Sequence, residues 1–307
     1  MSKTALFKYQ VIIFMALQYS CAVLTTSQIE MVNDLSVVSD SVAVAPSCFF
    51  EDLADVRKER GLFYASSLTS SETRFKEMSA LAQASIDDEA LVKRMDVYVN
   101  VLNSYLRSLR SISNEARWYD TGREIRGIGR NIDSLLFVYN KVYPDDPVET
   151  GIAKQLGKST GYIAEELSKR RQALIVKKFV EQGDTLVSVC CDTLIELLKE
   201  KDVEELIVNE EIGLDMNYKA YLSALELRGE YPKIEYDREY LVLKEELYNA
   251  RKIRDKCVSS LRSLKKAHTK LLSELQERKQ IDQLFREMMD LNEQALDIAQ
   301  LLRSDTN

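Results

Sequence analysis

Residues 151–159 form the segment closest to a phosphate-binding loop, because two glycines precede a Lys-Ser pair. Such a loop has four residues between its glycines, since its backbone amides wrap a phosphate, and it follows a buried strand. Here five residues separate Gly151 from Gly157, and Ile152 and Leu156 between them have helical spacing. The segment is therefore predicted to be helical, and no cofactor is predicted.

The single histidine, His268, is the other residue that would indicate catalysis. A nucleophilic mechanism needs a base beside a serine or cysteine, but Cys257 lies about three turns away on the same predicted helix. We interpret His268 as a hydrogen-bonded packing residue. The chain has no Cys-x-x-Cys pair, so no metal site is predicted, and adjacent Cys190 and Cys191 are interpreted as small buried hydrophobic residues.

Aspartate and glutamate together number 49, which is enough to supply a carboxylate pair for glycan cleavage. No two of them are set apart by their spacing, and long helical rods seldom form the deep cleft that a substrate needs. The sequence therefore predicts no catalytic residue and favours a protein that is not an enzyme.

Three arginines share one face of a predicted helix, with two glycines beside them. The simplest interpretation is a solvated face opposite an isoleucine seam. The sharper hypothesis is a partner contact, in which the glycines allow close approach and a nearby tryptophan is an aromatic anchor. The candidate contact residues are Trp118, Arg123, Arg126 and Arg130.

Residues 91–116 carry the strongest structural signal, an apolar stripe with 4-3-4-3-4-3-4 spacing. Its members are Leu91, Met95, Tyr98, Leu102, Tyr105, Leu109, Ile112 and Ala116. Similar stripes recur over residues 125–142, 236–275 and 281–302. The chain has only four prolines and ten glycines in 307 residues, which argues against a long β protein. The predicted fold is all-α, an elongated antiparallel helical bundle with coiled-coil-like seams.

Breaks in the apolar pattern divide the chain into predicted regions. Residues 23–48 are predicted as a tether ending near Pro46, residues 49–143 as an N-terminal helical hairpin region, and residues 148–303 as a C-terminal long-helix region that packs on the first. Turns are predicted at residues 209–213 and 229–232, and a kink or joint at Gly183. The heptad frame slips by one residue at 276–280, which predicts a bend or loop.

Charge is unevenly distributed along these predicted helices. The net charge of −7 disfavours a general nucleic-acid binder, which needs a basic surface. Residues 196–246 are rich in acidic side chains and residues 251–270 in basic ones. The two stretches are predicted to lie near each other in the bundle, with a basic face for anionic lipid or peptidoglycan as the alternative.

The first 22 residues have the anatomy of an export signal. Lys3 and Lys8 precede an apolar run over residues 11–17, and small residues follow it. The run is far shorter than the ~20 residues that a membrane-spanning helix needs. Cleavage after Ala22 by ordinary signal peptidase is one interpretation, and it predicts a secreted or periplasmic protein.

The same segment resembles a bacterial lipoprotein signal, in which cleavage precedes a cysteine that then carries lipid. Ser20 occupies the small position before the cleavage point and Cys21 is the cysteine. The resemblance implies lipid attachment at Cys21, and Ala22 after it implies an outer-membrane address facing the periplasm. The predicted tether would then lift the folded part off the bilayer.

These patterns predict an exported, lipid-anchored, non-catalytic helical scaffold or binding protein of the bacterial cell envelope. Its expected partners are the membrane, through the lipid, and an envelope protein or peptidoglycan, but no nucleic acid. A cytosolic coiled-coil adaptor with an apolar N-terminus is the first alternative. An envelope enzyme acting on glycan is the second.

Overall fold

The computed structural model describes residues 26–113, 172–199, 201–277 and 281–304, together with six single positions between 130 and 144. Six helices account for almost all of the four continuous ranges. They are α1 Thr26–Ser67, α2 Ser71–Ser113, α3 Gln172–Lys199, α4 Lys201–Arg228, α5 Ile234–Glu277 and α6 Ile281–Ser304. No strand occurs in the part of the chain that the structure describes, and the prediction of an all-α helical bundle is confirmed.

Helices α1 and α2 form an antiparallel hairpin around the short turn at residues 68–70. The Ser70 hydroxyl accepts a hydrogen bond from the Thr73 amide at 3.3 Å and caps the start of α2. Further from the turn, the Ser47 hydroxyl donates to Asp96 at 2.7 Å. Every described member of the 91–116 stripe from Met95 to Ile112 is buried, so the predicted seam is confirmed.

The predicted tether over residues 23–48 is wrong for its described part, because residues 26–48 belong to α1. Proline inside a helix costs ~3 kcal/mol, since it removes a hydrogen bond and crowds the preceding turn. The neighbouring Val42, Phe49 and Phe50 are buried, and each large apolar side chain contributes ~2 kcal/mol on burial. That burial outweighs the cost of Pro46, so the helix continues through it.

The turn predicted at residues 209–213 is also wrong, because α4 runs unbroken through them. A close contact explains why position 213 is a glycine. A Cβ there would lie 2.7 Å from Nη1 of Arg60, so the glycine leaves room for the α1 guanidinium. Val203, Ile207 and Leu214 are buried on the same helix and hold the segment helical.

The turn predicted at residues 229–232 is confirmed, and it ends α4 in a Schellman motif. The Gly229 amide donates to the carbonyl of Glu226 at 3.0 Å, and the Glu230 amide donates to that of Leu225 at 2.9 Å. Gly229 has a φ of +67°, a left-handed conformation that glycine adopts without steric cost. The bend predicted at 276–280 falls on residues 278–280, which lie outside the described residues; α5 ends at Glu277 and α6 begins at Ile281.

Contacts between helices fix their directions. Arg57 pairs with Glu210 and Phe63 contacts Tyr218, so α1 and α4 run parallel. Tyr221 contacts Tyr236 and Glu211 pairs with Arg251, so α5 runs antiparallel to α4 and therefore to α1. The turns at 68–70 and 229–233 therefore lie at the same end of the bundle.

Two regions are distinguished below. The turn end comprises residues 61–86 and 210–248. The core half comprises residues 29–56, 92–113, 172–199 and 250–275, together with α6. Helix α1 packs against α2, α4, α5 and α6, and it is the element that both regions share.

Candidate functional site

The residues singled out from the sequence lie mostly outside the described residues. Cys21, Trp118, Arg123 and Arg126 are all outside them, as are residues 151–159. Arg130 is described, at an exposed helical position. The structure therefore does not test whether these four candidate contact residues come together.

His268 lies at the centre of a buried polar network in the core half. Its side chain is fully buried, and its Nε2 atom is 2.7 Å from the Tyr105 hydroxyl. Its Nδ1 atom is 3.0 Å from Oδ1 of Asp184, which also accepts a hydrogen bond from Thr269 at 3.3 Å. The network joins α2, α3 and α5, and the prediction that His268 is a hydrogen-bonded packing residue is confirmed.

The surroundings of this network decide where its protons lie. Burial raises the pKa of Tyr105 well above its usual value, and the charge of Asp184 raises it further. The hydrogen bond from His268 lowers the pKa of the Asp184 carboxyl against the opposing effect of burial. Tyr105 therefore stays protonated, and the ionised Asp184 accepts a hydrogen bond from Nδ1–H of His268.

Gly183 allows this network to form. A Cβ at this position would overlap the Tyr105 ring, which is also stacked on Phe179 with 4.9 Å between centroids. Of the kink or joint predicted at Gly183, the joint is wrong, because α3 continues through it as one helix. The glycine serves close helix packing instead. A polar residue on each of two seams, Tyr105 and His268, was the sequence signal that the two might pair.

A second buried charge was missed in the sequence. Glu210 is only 2% exposed and accepts hydrogen bonds from Arg57, at 2.9 Å, and from Arg60. Asn217 donates to the carbonyl of Arg60 at 3.0 Å and adds a further link between α4 and α1. The two arginines lie three residues apart on one helical face, which is the only pattern that could have indicated a shared carboxylate.

The acidic and basic stretches pair with each other, as predicted. Arg251 forms a bidentate pair with Glu211 at 2.6 and 3.0 Å, and Arg254 pairs with Glu204. Lys265 of the basic stretch pairs with Asp192, which precedes the acidic stretch. Within the acidic stretch, Lys244 lies 2.9 Å from Asp215, and the hydrogen bond to Asp215 raises the pKa of Lys244. Much of the basic stretch is thus used inside the bundle.

The four described cysteines are free thiols and form no disulfide with one another. Cys190, Cys191 and Cys257 are buried and Cys48 is half-buried. Burial raises the pKa of the Cys191 thiol to about 12 and also raises that of Cys190. The interpretation of Cys190 and Cys191 as small buried hydrophobic residues is confirmed.

Two kinds of site are not found within the described ranges. No group of three or more histidine, cysteine, aspartate or glutamate side chains there has the arrangement of a metal site. None of the six helices has the length and apolar character needed to cross a membrane.

The turn end has the most distinctive surface in the described part of the chain. The described residues include eighteen exposed large apolar or tyrosine side chains, and thirteen of these lie in the turn end. Leu227 is 89% exposed and Tyr231 is 91% exposed. The thirteen are Tyr64, Phe75, Met78, Ile86, Ile212, Met216, Leu227, Tyr231, Ile234, Tyr236, Leu241, Val242 and Tyr248. A concentration of exposed apolar side chains in one region favours an interaction site.

A cluster of contacting aromatic rings lies in the same region as this surface. Tyr218 stacks on Tyr240 with 4.3 Å between ring centroids and contacts Phe63 edge-on at 5.1 Å. Tyr221 contacts Tyr236 at 5.4 Å. The hydroxyl of Tyr240 donates to Asp215 at 2.9 Å. These ring contacts restrict the motion of the helices that carry the exposed residues, which lowers the entropy cost of binding a partner.

The fold defines this chain as an all-α helical bundle. No protein-family model, no curated protein and no solved structure matches it.

Proposed function

We propose that the chain is an exported, lipid-anchored, non-catalytic scaffold of the bacterial cell envelope that binds another envelope protein through its turn end. The observation that carries the binding role is the concentration of exposed apolar and aromatic side chains there, led by Leu227 and Tyr231. Leaving such side chains in water has a cost that a partner surface removes.

The chemistry of the surface favours a protein as the partner. Tyrosine and other large side chains dominate the energetics of protein interfaces, where they fill pockets on the partner. A nucleic acid would require a basic surface, but the chain has a net charge of −7. The turn end thus suits a protein with an apolar pocket or groove.

Anchoring is supported by the N-terminal sequence and by where α1 begins. Four residues separate Cys21 from Thr26, the first residue of α1, so the two are at most ~18 Å apart along an extended chain. Helix α1 has 42 residues, a length of about 63 Å. A lipid on Cys21 would hold the start of α1 near the bilayer and direct the turn end roughly 60 Å away from it.

Membrane fractionation tests the anchor. We expect the wild-type chain in the envelope membrane fraction, with the mass of a chain that begins at a lipid-modified Cys21. The Cys21→Ala variant should lose both properties. Recovery of the intact, unprocessed wild-type chain from the soluble cell interior would contradict the proposal and favour the cytosolic adaptor.

Site-specific crosslinking tests the binding surface. A photoreactive amino acid in place of Tyr231 should capture one protein, and the same residue in place of Val189, an exposed position in the core half, should not. The captured protein is then purified, and its Kd is measured for the wild type and for Leu227→Ser.

We expect Leu227→Ser to weaken binding about tenfold or more, and the control Val189→Ser to leave it unchanged, because only the first removes an apolar contact at the turn end. Equal binding by both variants would rule out the turn end as the interface. The enzyme alternative is tested separately, by peptidoglycan zymography.

A further inference from the structure

A second apolar stripe runs along the outward side of α5 at the turn end. The inward side of this part of α5 carries Leu243 and Leu247, which are buried. On the opposite side, Ile234, Leu241 and Tyr248 are 59%, 64% and 60% exposed. These three recur every seven residues, so they lie in a line about 21 Å long on one side of the helix. Such spacing is typical of a seam that another helix covers.

Two charges of opposite sign alternate with these apolar residues. Arg238 follows Ile234 by four residues, and Glu245 follows Leu241 by four, so both lie on the same side of α5. Both side chains are exposed, and neither forms an ion pair or hydrogen bond with another described residue. The five residues are called the α5 stripe below, and its two charges are available to another chain.

The order of residues in the α5 stripe is complementary to the same order reversed. Ile234 and Tyr248 each lie about 10.5 Å along the helix from Leu241, on opposite sides of it. If two α5 helices crossed antiparallel at Leu241, Ile234 of each copy would therefore meet Tyr248 of the other. Arg238 and Glu245 lie about 4.5 and 6 Å from Leu241, so they would also meet. A parallel pair would instead bring like charges together.

We infer that the α5 stripe binds the α5 stripe of a second copy of this chain, antiparallel, with a two-fold axis near Leu241. A two-fold interface needs a surface that is complementary to itself, and the stripe has this property in both its apolar residues and its charges. The charges favour the antiparallel orientation, since like charges brought together across an interface are costly. The contact is only one helix wide, so we expect a weak dimer with a Kd of about 10 μM.

The dimer rests neither on the proposed partner nor on the lipid anchor. The α5 stripe is part of the turn-end surface, but Leu227 and Tyr231, which carry the proposed partner binding, lie outside it. Loss of the dimer and loss of partner binding can therefore be measured separately. Because α1 runs antiparallel to α5, the N-terminal ends of the two copies would point in opposite directions. Copies anchored through Cys21 would then pair across two facing bilayers.

Sedimentation equilibrium of the full chain tests this inference. The chain carries Cys21→Ala, so that no lipid contributes to association, and it should show a monomer–dimer equilibrium. Leu241→Ser should raise the dimer Kd about tenfold or more, because it removes the central apolar residue from both copies. The control Met216→Ser changes a side chain on α4 that is 65% exposed and should leave the Kd unchanged.

Charge reversal tests the orientation of the two copies. Arg238→Glu and Glu245→Arg should each raise the Kd about fivefold, because each places like charges opposite one another. The double variant restores opposite charges and should regain the wild-type Kd. Circular dichroism and the unfolding midpoint establish that each variant is folded.

Three results would overturn the inference. The first is a chain that stays monomeric at about 100 μM, ten times the expected Kd. The second is a dimer that Leu241→Ser leaves intact. The third is a double charge reversal that dimerises no better than either single variant.

Discussion

The core half and the turn end are built from the same kind of amphipathic helix, yet they differ in how far their apolar side chains are exposed to solvent. In the core half, residues such as Leu109 and Phe179 are fully buried. At the turn end, Leu227 and Tyr231 extend almost entirely into solvent. The helices are continuous between the two regions, so helix formation itself is not what separates them.

The number of neighbouring helices explains the contrast. In the core half, α1, α2, α3, α5 and α6 surround a common interior. Toward the turns, α3 and α6 no longer contribute, and residues 71–86 of α2 are largely exposed. An apolar stripe is buried only where another helix covers it, so the same pattern produces core in one region and surface in the other.

Matched leucine substitutions in the two regions give the largest expected contrast. Leu109→Ala should lower the free energy of unfolding by about 3 kcal/mol, because it leaves a cavity in a close-packed interior. Leu227→Ala should change it by less than ~0.5 kcal/mol, since that side chain has little protein contact to lose. Denaturant unfolding of both variants measures the difference. Similar losses in both would show that the turn end is packed in solution.

Matched glycine substitutions sharpen the comparison. Gly183→Ala places a methyl group against the Tyr105 ring, which Phe179 and His268 hold in position. We expect a loss of about 2 kcal/mol from the crowding, despite a gain of up to ~1 kcal/mol in helix propensity.

Gly61→Ala is the control at the turn end, because it meets only the end of the half-buried Leu81 side chain. Its effect on denaturant unfolding should stay within ~0.5 kcal/mol. If Gly183→Ala were as stable as wild type, the close contact between α3 and Tyr105 would not exist in solution.

The smallest expected effect is on the free energy of unfolding at acidic pH. The pKa of Asp184 is lowered in the folded state, chiefly by its hydrogen bond to His268. Its stabilising contribution is therefore present above the usual carboxyl pKa of ~4 and is lost as the pH falls through the lower, folded-state pKa. Asp184→Asn should reduce the difference in unfolding free energy between pH 7 and pH 3.

Glu204 offers the comparison for this experiment. Its pKa is also lowered, by the hydrogen bond from Arg254, but the pair is exposed on its carboxylate side. Solvent screening weakens such pairs, so Glu204→Gln should flatten the pH dependence less than Asp184→Asn. The reverse order would mean that the His268 network contributes little to acid stability.

The regular features of the fold were predictable because they depend on local spacing. The seam from Met95 to Ile112 and the turn at Gly229 both follow from residue types that lie close in sequence. The pairing of acidic with basic stretches was also predictable, since opposite charge within one bundle favours proximity.

The errors arose where tertiary contacts outweigh local preference. Pro46 reads as a helix end, but burial of the residues around it keeps α1 helical. Residues 209–213 read as a turn, but Arg57 and Arg60 hold Glu210 inside the bundle. The partners of His268 lie 163 and 84 positions away in the sequence, and no local pattern gives their identity.

The buried thiols give the bundle an internal reporter of its own opening. Only a thiolate reacts readily with alkylating or oxidising reagents, and at neutral pH Cys191, with a pKa of about 12, is almost never ionised. Reaction at Cys190, Cys191 or Cys257 must therefore wait until the surrounding helices separate. The rate at which these sulfurs are modified would count such separations in the core half, without any introduced label.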